Sequence, residues 1–174
     1  GLARSAGRID AARGYFAEAV DVIHHLAESD PLTQLQLSAS LSNLGKVEIE
    51  AGRVEEARSC FEEGLALIRR LVVEEPHRSD LRRALAVALA DSADYFHRTG
   101  RLEDSRACFA EVVTTMRQLV AAEPHRSDLS ADLAASLNNL GDVIKDSSGI
   151  EEAGRLFEES AALKHSVRSD RVEE

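Results

Sequence analysis

One heptapeptide, Glu75-Pro76-His77-Arg78-Ser79-Asp80-Leu81, recurs unchanged as Glu123-Pro124-His125-Arg126-Ser127-Asp128-Leu129, an offset of 48 residues. An internal repeat constrains a chain strongly. Each unit must fold alike, and each must cover the apolar face its neighbour leaves open. The same offset aligns Leu41, Leu89 and Leu137, then Gly45, Ala93 and Gly141, then Ala57, Ser105 and Ala153, then Phe61, Phe109 and Phe157. Upstream, Phe16 and Pro31 align with Phe61 and Pro76 at an offset of 45; the His-Arg-Ser part of the linker is missing just after Pro31.

Each period reads as two helices. Leu37, Leu41, Leu44 and Val47 are spaced four, three and three apart, which places them on one face of a 3.6-residue helix. Gly52 and Gly100 then stand where a helix ends in a left-handed residue, and in the third copy the glycine moves by one to Gly149. A second apolar stripe follows: Val54, Ala57, Phe61, Leu65, Ile68 and Leu71. Pro76 stops it, since proline lacks an N–H and disfavours helix in the residue before it. Ser79 or Asp80 is expected to cap the next helix. The unit is thus helix A, glycine turn, helix B, proline turn. A helices are expected over 32–51, 79–99 and 127–147. B helices are expected over 8–29, 54–75, 102–123 and 150–168. That makes about seven helices, beginning with an unpaired B helix. No segment alternates with the period of two that a strand requires.

Composition narrows the reading. The chain has 174 residues, 44% of them hydrophobic, enough for a core. Its length predicts one domain, 1–174, divided as a half repeat 1–31 and repeats 32–76, 77–124 and 125–170. The net charge of −10 argues against nucleic acid as a partner, because such binding neutralises phosphates with Lys and Arg. No apolar run approaches the ~18 residues of a membrane span. Two cysteines make no disulfide framework, and their spacing fits no zinc pattern, so a reduced, cytoplasmic protein is expected. The chain opens Gly1-Leu2-Ala3 with no signal peptide, and its one methionine is Met116; a processed piece of a larger protein is expected.

Catalytic and metal chemistry find little support. His24 and His25 are neighbours on a helix, about 100° apart, and cannot share a metal. His77 and His125 read as exposed linker residues. Cys60 and Cys108 are repeat equivalents and read as half-buried fillers; Cys60 is followed by Phe61, Glu62 and Glu63, the opposite of the basic surroundings a reactive thiol needs. Glu55-Glu56 and Glu62-Glu63 read as solvated helix faces. Most of the seven aromatics, Tyr15, Phe16, Phe61, Tyr95, Phe96, Phe109 and Phe157, fall on core positions. No phosphate loop, dinucleotide fingerprint or nucleophile elbow occurs. No enzymatic activity, cofactor or metal site is therefore expected.

Leu41-x-x-Leu44-Gly45, then Ala57, then Phe61 resembles the tetratricopeptide repeat signature, and Leu137-x-x-Leu140-Gly141, Ala153 and Phe157 match it equally well. The second copy is weaker, with Ser92, Ala93 and Ser105 at those places, and Ala12 and Phe16 supply a half copy. The usual repeat is about 34 residues; the longer period here resembles long-helix variants such as kinesin light chain, and arrays in large bacterial regulatory proteins. The resemblance implies an all-α fold, a right-handed α-solenoid of stacked antiparallel helix hairpins whose A helices line a concave groove. Carried over position by position, it implies groove residues Ala39, Ser42, Asn43, Lys46, Ile49 and Glu50; then Val87, Ala90, Asp91, Asp94, His97 and Arg98; then Ala135, Asn138, Asn139, Asp142, Lys145 and Asp146. The clamp of Lys, Asn and Arg that some relatives close on a C-terminal carboxylate is mostly absent: Ser42, Lys46, Asp91, Ala135 and Asn139 stand there. Asn43 and Asn139 have the donor and acceptor to hold an extended backbone, and Asp91, Asp94 and Asp142 favour basic side chains. The expected function is a protein–protein interaction module, a scaffold or adaptor, that takes a protein or basic peptide segment in the groove. Its expected partner-binding residues are Asn43, Lys46, Asp91, Asp94, Asn138, Asn139 and Asp142. The alternatives are a regulatory or sensor arm of a larger signalling protein or enzyme, and a structural self-assembly element. A weak homodimer through the terminal helices is also expected, since terminal repeats without a polar outer face associate.

Overall fold

The computed structural model describes residues 2–26, 30–147 and 149–170, with side chains over 7–25, 30–147 and 149–167. Among the described residues there are seven α-helices and no strand: α1 (Leu2–Leu26), α2 (Pro31–Glu50), α3 (Val54–Glu74), α4 (Ser79–Arg98), α5 (Leu102–Ala122), α6 (Ser127–Asp146) and α7 (Ile150–Asp170). The architecture is an all-α repeat, as the period requires. The expected boundaries hold within one or two residues from α2 onward. The first helix begins earlier than expected and runs straight through Gly7, while the end expected for it, 27–29, lies outside the described residues. The chain divides into two compact units, Gly1–Tyr95 and Phe96–Glu174, with the boundary between residues 95 and 96.

In the first unit, Leu37 and Leu41 of α2, each 2% exposed, pack against Val20 and Ile23 of α1 and against Cys60 and Leu67 of α3. The α2–α3 hairpin closes where a glycine meets an aromatic. A Cβ added to Gly45 would stand 2.8 Å from the Phe61 ring, so only a residue without a side chain lets the buried phenylalanine in. Phe61 also meets Tyr95 of α4, with ring centroids 5.5 Å apart. The second unit repeats the device with Gly141 beneath Phe157, where an added Cβ would meet the ring at 2.6 Å.

A polar tie crosses each of these hairpins. Ser38 Oγ on α2 donates to the Gly64 carbonyl on α3 at 2.8 Å. In the second unit Ser160 Oγ on α7 donates to the Ala134 carbonyl on α6 at 2.6 Å. Positions 38 and 134 are repeat equivalents, as are 64 and 160, so the same contact is made with its hydroxyl moved to the opposite helix.

The turns are built by three different means. Gly52 and Gly100 take φ values of 75° and 78°, the left-handed conformation that glycine adopts without a Cβ penalty. Gly149 corrects the expectation for the third copy. It is not left-handed. Its N–H donates to the Ile144 carbonyl at 2.9 Å, and a Cβ there would meet Ile144 Cγ2 at 2.5 Å, so close approach rather than backbone sign requires the glycine. The invariant heptapeptide is an arginine-centred turn. Arg78 donates to Asp80 through Nε at 3.0 Å and Nη2 at 2.5 Å, and to Glu75 through Nη1 at 3.3 Å. Arg126 holds Asp128 at 2.8 and 2.6 Å and Glu123 at 3.2 Å in the same way. The Arg78 hydrogen bond holds the Asp80 carboxyl below its ordinary pKa, so that carboxylate enters the start of α4 as one arm of the arginine clasp. At the start of α2 a true side-chain cap appears. Asp30 accepts from Thr33 N at 2.9 Å and Thr33 Oγ1 at 2.6 Å, with Pro31 in the first turn.

Candidate interaction surface

In the first unit, two A helices, α2 and α4, leave a cavity of about 260 Å3 between them. Ala39, Ser42, Asn43 and Lys46 line it from α2, and Val87 and Asp91 from α4. Its wall is mainly apolar, because small residues on both helices keep the floor low while Val87 stands 56% exposed at its side. One end is polar. Lys46 Nζ sits 2.8 Å from Asp91 Oδ1, and the Asp91 side chain is only 13% exposed. The second carboxylate oxygen, Oδ2, is buried and receives no hydrogen bond. A buried acceptor left unpaired is costly, so the Asp91 carboxylate is held at a cost by the packing around it.

The residues expected to bind a partner fall in two places. Asn43, Lys46 and Asp91 come together around the α2–α4 cavity, and Asp94 is exposed one turn further along α4. In the second unit Asn139 and Asp142 are exposed on α6 and Asn138 is half-buried. There, His97 Nε2 lies 2.9 Å from Asp146 Oδ2.

The sequence reading overlooked Glu48, which is 3% exposed. Its Oε1 accepts from Arg13 Nε of α1 at 2.8 Å and its Oε2 from Arg53 Nε at the α2–α3 turn. Burial pushes the Glu48 carboxyl up, but hydrogen bonds and charge from Arg53 and Arg13 outweigh it and leave the pKa below the ordinary glutamate value. A signal was present. The repeat equivalents of Glu48 are Phe96 and Ile144, so a carboxylate stands on a core position. The equivalent of Arg53 is Arg101, whose guanidinium lies 4.4 Å over the Phe96 ring. One register thus supports an ion pair in one turn and a cation–π contact in the next.

Other chemistry is sparse. Burial pushes the Cys60 thiol up to about 11, with Glu48 and Glu63 adding to the shift, which makes it inert. Of the seven aromatics, Tyr15 stands outside the core, at 75% exposed. Among the described residues no group of three or more His, Cys, Asp or Glu side chains converges to hold a metal ion, and no helix is long and apolar enough to cross a membrane.

The hairpins and the glycine–aromatic closures make up an all-α helical repeat. Residues 37–79 match the family model described as tetratricopeptide repeat. The crystal structure of BtubC (BKLC) from P. vanneervenii is similar over 89% of this chain and 56% of that one, with a TM-score of 0.68 and 20% identity. This chain therefore spans little more than half of that protein. A crystal structure of nearly identical TPR-like repeats from Podosopora anserina is similar over 95% of this chain and 92% of that chain, with a TM-score of 0.51 and 16% identity. These likenesses are likenesses of fold. No curated protein sequence matches the chain.

Proposed function

We propose that the chain is a protein–protein interaction module, and that its first unit takes a segment of a partner protein between α2 and α4. The observation that carries the reading is the α2–α4 cavity, an apolar trough with Val87 exposed at its side and a polar end at Asn43, Lys46 and Asp91. Such a site recognises a short apolar side chain on an extended segment, with Asn43 bonding its backbone. The negative charge of Asp91 and of the exposed Asp94 draws a basic side chain of the partner to this end. Asn138, Asn139 and Asp142 on α6 offer the same residue chemistry in the second unit. The charge preference is modest, because Lys46 already meets half of the Asp91 carboxylate. Weak self-association through the terminal helices belongs to the same reading, since Ile150 at the start of α7 is 75% exposed. Sedimentation at high concentration tests it, and a strict monomer removes it.

The groove is tested by selecting displayed random peptides on the chain and recounting them on the Val87→Arg variant. The expected peptides share an apolar anchor beside Lys or Arg, lose binding on Val87→Arg, and weaken as salt rises. Peptides that are acidic at the contact, or that bind Val87→Arg equally well, overturn the reading.

A further inference from the structure

The B helix α3 uses two faces, one on the A helix before it and one, through Phe61 and Tyr95, on the A helix after it. In α3, Cys60 and Leu67 pack on Leu37 and Leu41 of α2, its own A helix, and Gly64 takes the Ser38 hydroxyl of that same helix. In α7 the equivalent Ser160 reaches α6, again its own A helix. The other face serves the A helix that follows: Val20 and Ile23 of α1 pack on α2. At the offset of 45, the partners of Cys60, Gly64 and Leu67 on α1 are Tyr15, Ala19 and Val22. The two large residues of that stripe are bare, Tyr15 75% and Val22 56% exposed, with the half-buried Ala19 between them. Exposed apolar stripes of this kind mark a missing partner.

The turn ahead of it agrees. Gly7-Arg8-Ile9-Asp10 stands in register with Gly52-Arg53-Val54-Glu55 and Gly100-Arg101-Leu102-Glu103. Gly52 and Gly100 are left-handed and join an A helix to its B helix. Gly7 instead lies inside α1 without a positive φ, and a Cβ built on it would meet nothing within 4 Å. A helix interior gains nothing from glycine there. A hairpin turn needs it.

We propose that the outer face of α1, built on Tyr15, Ala19 and Val22, is the docking surface for one further A-type helix, joined to α1 through a left-handed turn at Gly7. The occupant is an amphipathic helix of the α2 kind, with leucines spaced as Leu37, Leu41 and Leu44 and a glycine where Gly45 admits Phe61, because Phe16 holds the equivalent place on α1. The contact continues an interface the fold already makes twice, α2 on α3 and α6 on α7.

The test compares the chain as it stands with one in which residues 31–51 replace residues 1–6, directly before Gly7. In the present chain Gly7→Ala raises Tm, because the position is helical. In the extended chain Gly7→Ala lowers Tm, because the position becomes a left-handed turn. Acrylamide quenching of tyrosine fluorescence gives an independent readout, since Tyr95 is 4% exposed and Tyr15 dominates the quenchable signal. Quenching falls severalfold in the extended chain. Unchanged quenching, or a Gly7→Ala shift of the same sign in both chains, overturns the proposal.

Discussion

Two phenylalanines in equivalent places show how far one residue type depends on its cover. Phe61 is 4% exposed, closed between Gly45 and Tyr95, whereas Phe157 is only half-buried above Gly141. Phe61→Ala is expected to cost about 3–5 kcal/mol, the range for emptying a buried aromatic site. Phe157→Ala is expected to cost clearly less, and urea melts of the two variants measure the difference. Glu48 carries a second prediction. Its folded pKa lies below the ordinary value of 4.5, so its ion pairs stabilise the fold above that value. The contribution is lost as pH falls from about 4.5 through the lower folded value. Stability measured from pH 7 to pH 3 should therefore drop less steeply in Glu48→Gln than in the parent chain. An equal slope in both assigns the acid loss to other carboxylates.

Among the elements, those set by periodicity and by glycine and proline punctuation were readable from the sequence: six helix spans and the turns at Gly52 and Gly100. Contacts that depend on a neighbour were not. Glu48 reads as a solvated charge until Arg13 of another helix is seen beside it. Gly149 reads as a third left-handed turn until Ile144 is found against it. Of the candidate interface, Asn43, Lys46 and Asp91 were named as groove residues by the resemblance, and all three line the α2–α4 cavity. The Lys46–Asp91 pair was not legible, since it depends on how α2 and α4 sit together. The exchanged serine ties make a prediction at this scale. Ser38→Ala should cost about 1 kcal/mol, the worth of one buried hydrogen bond. Adding Gly64→Ser should restore much of it, because Ser160 shows that the hydroxyl works from the opposite helix. A further loss in the double variant would mean that α2 and α3 approach too closely at Gly64 for any side chain.

At the scale of the molecule, the fold leaves its A helices with small and polar residues where its B helices carry carboxylates such as Glu55, Glu56 and Glu62. Any partner that uses the repeat as a binding surface must therefore distinguish the two kinds of helix. The most direct measurement is amide chemical-shift mapping of the isotopically labelled chain, titrated with a peptide selected as described above. The account predicts the largest shifts between residues 35 and 46 of α2 and between 84 and 91 of α4, with saturation that is lost in Val87→Arg. Shifts concentrated on α3, around Glu55 to Glu63, with the α2–α4 cavity silent, would contradict it.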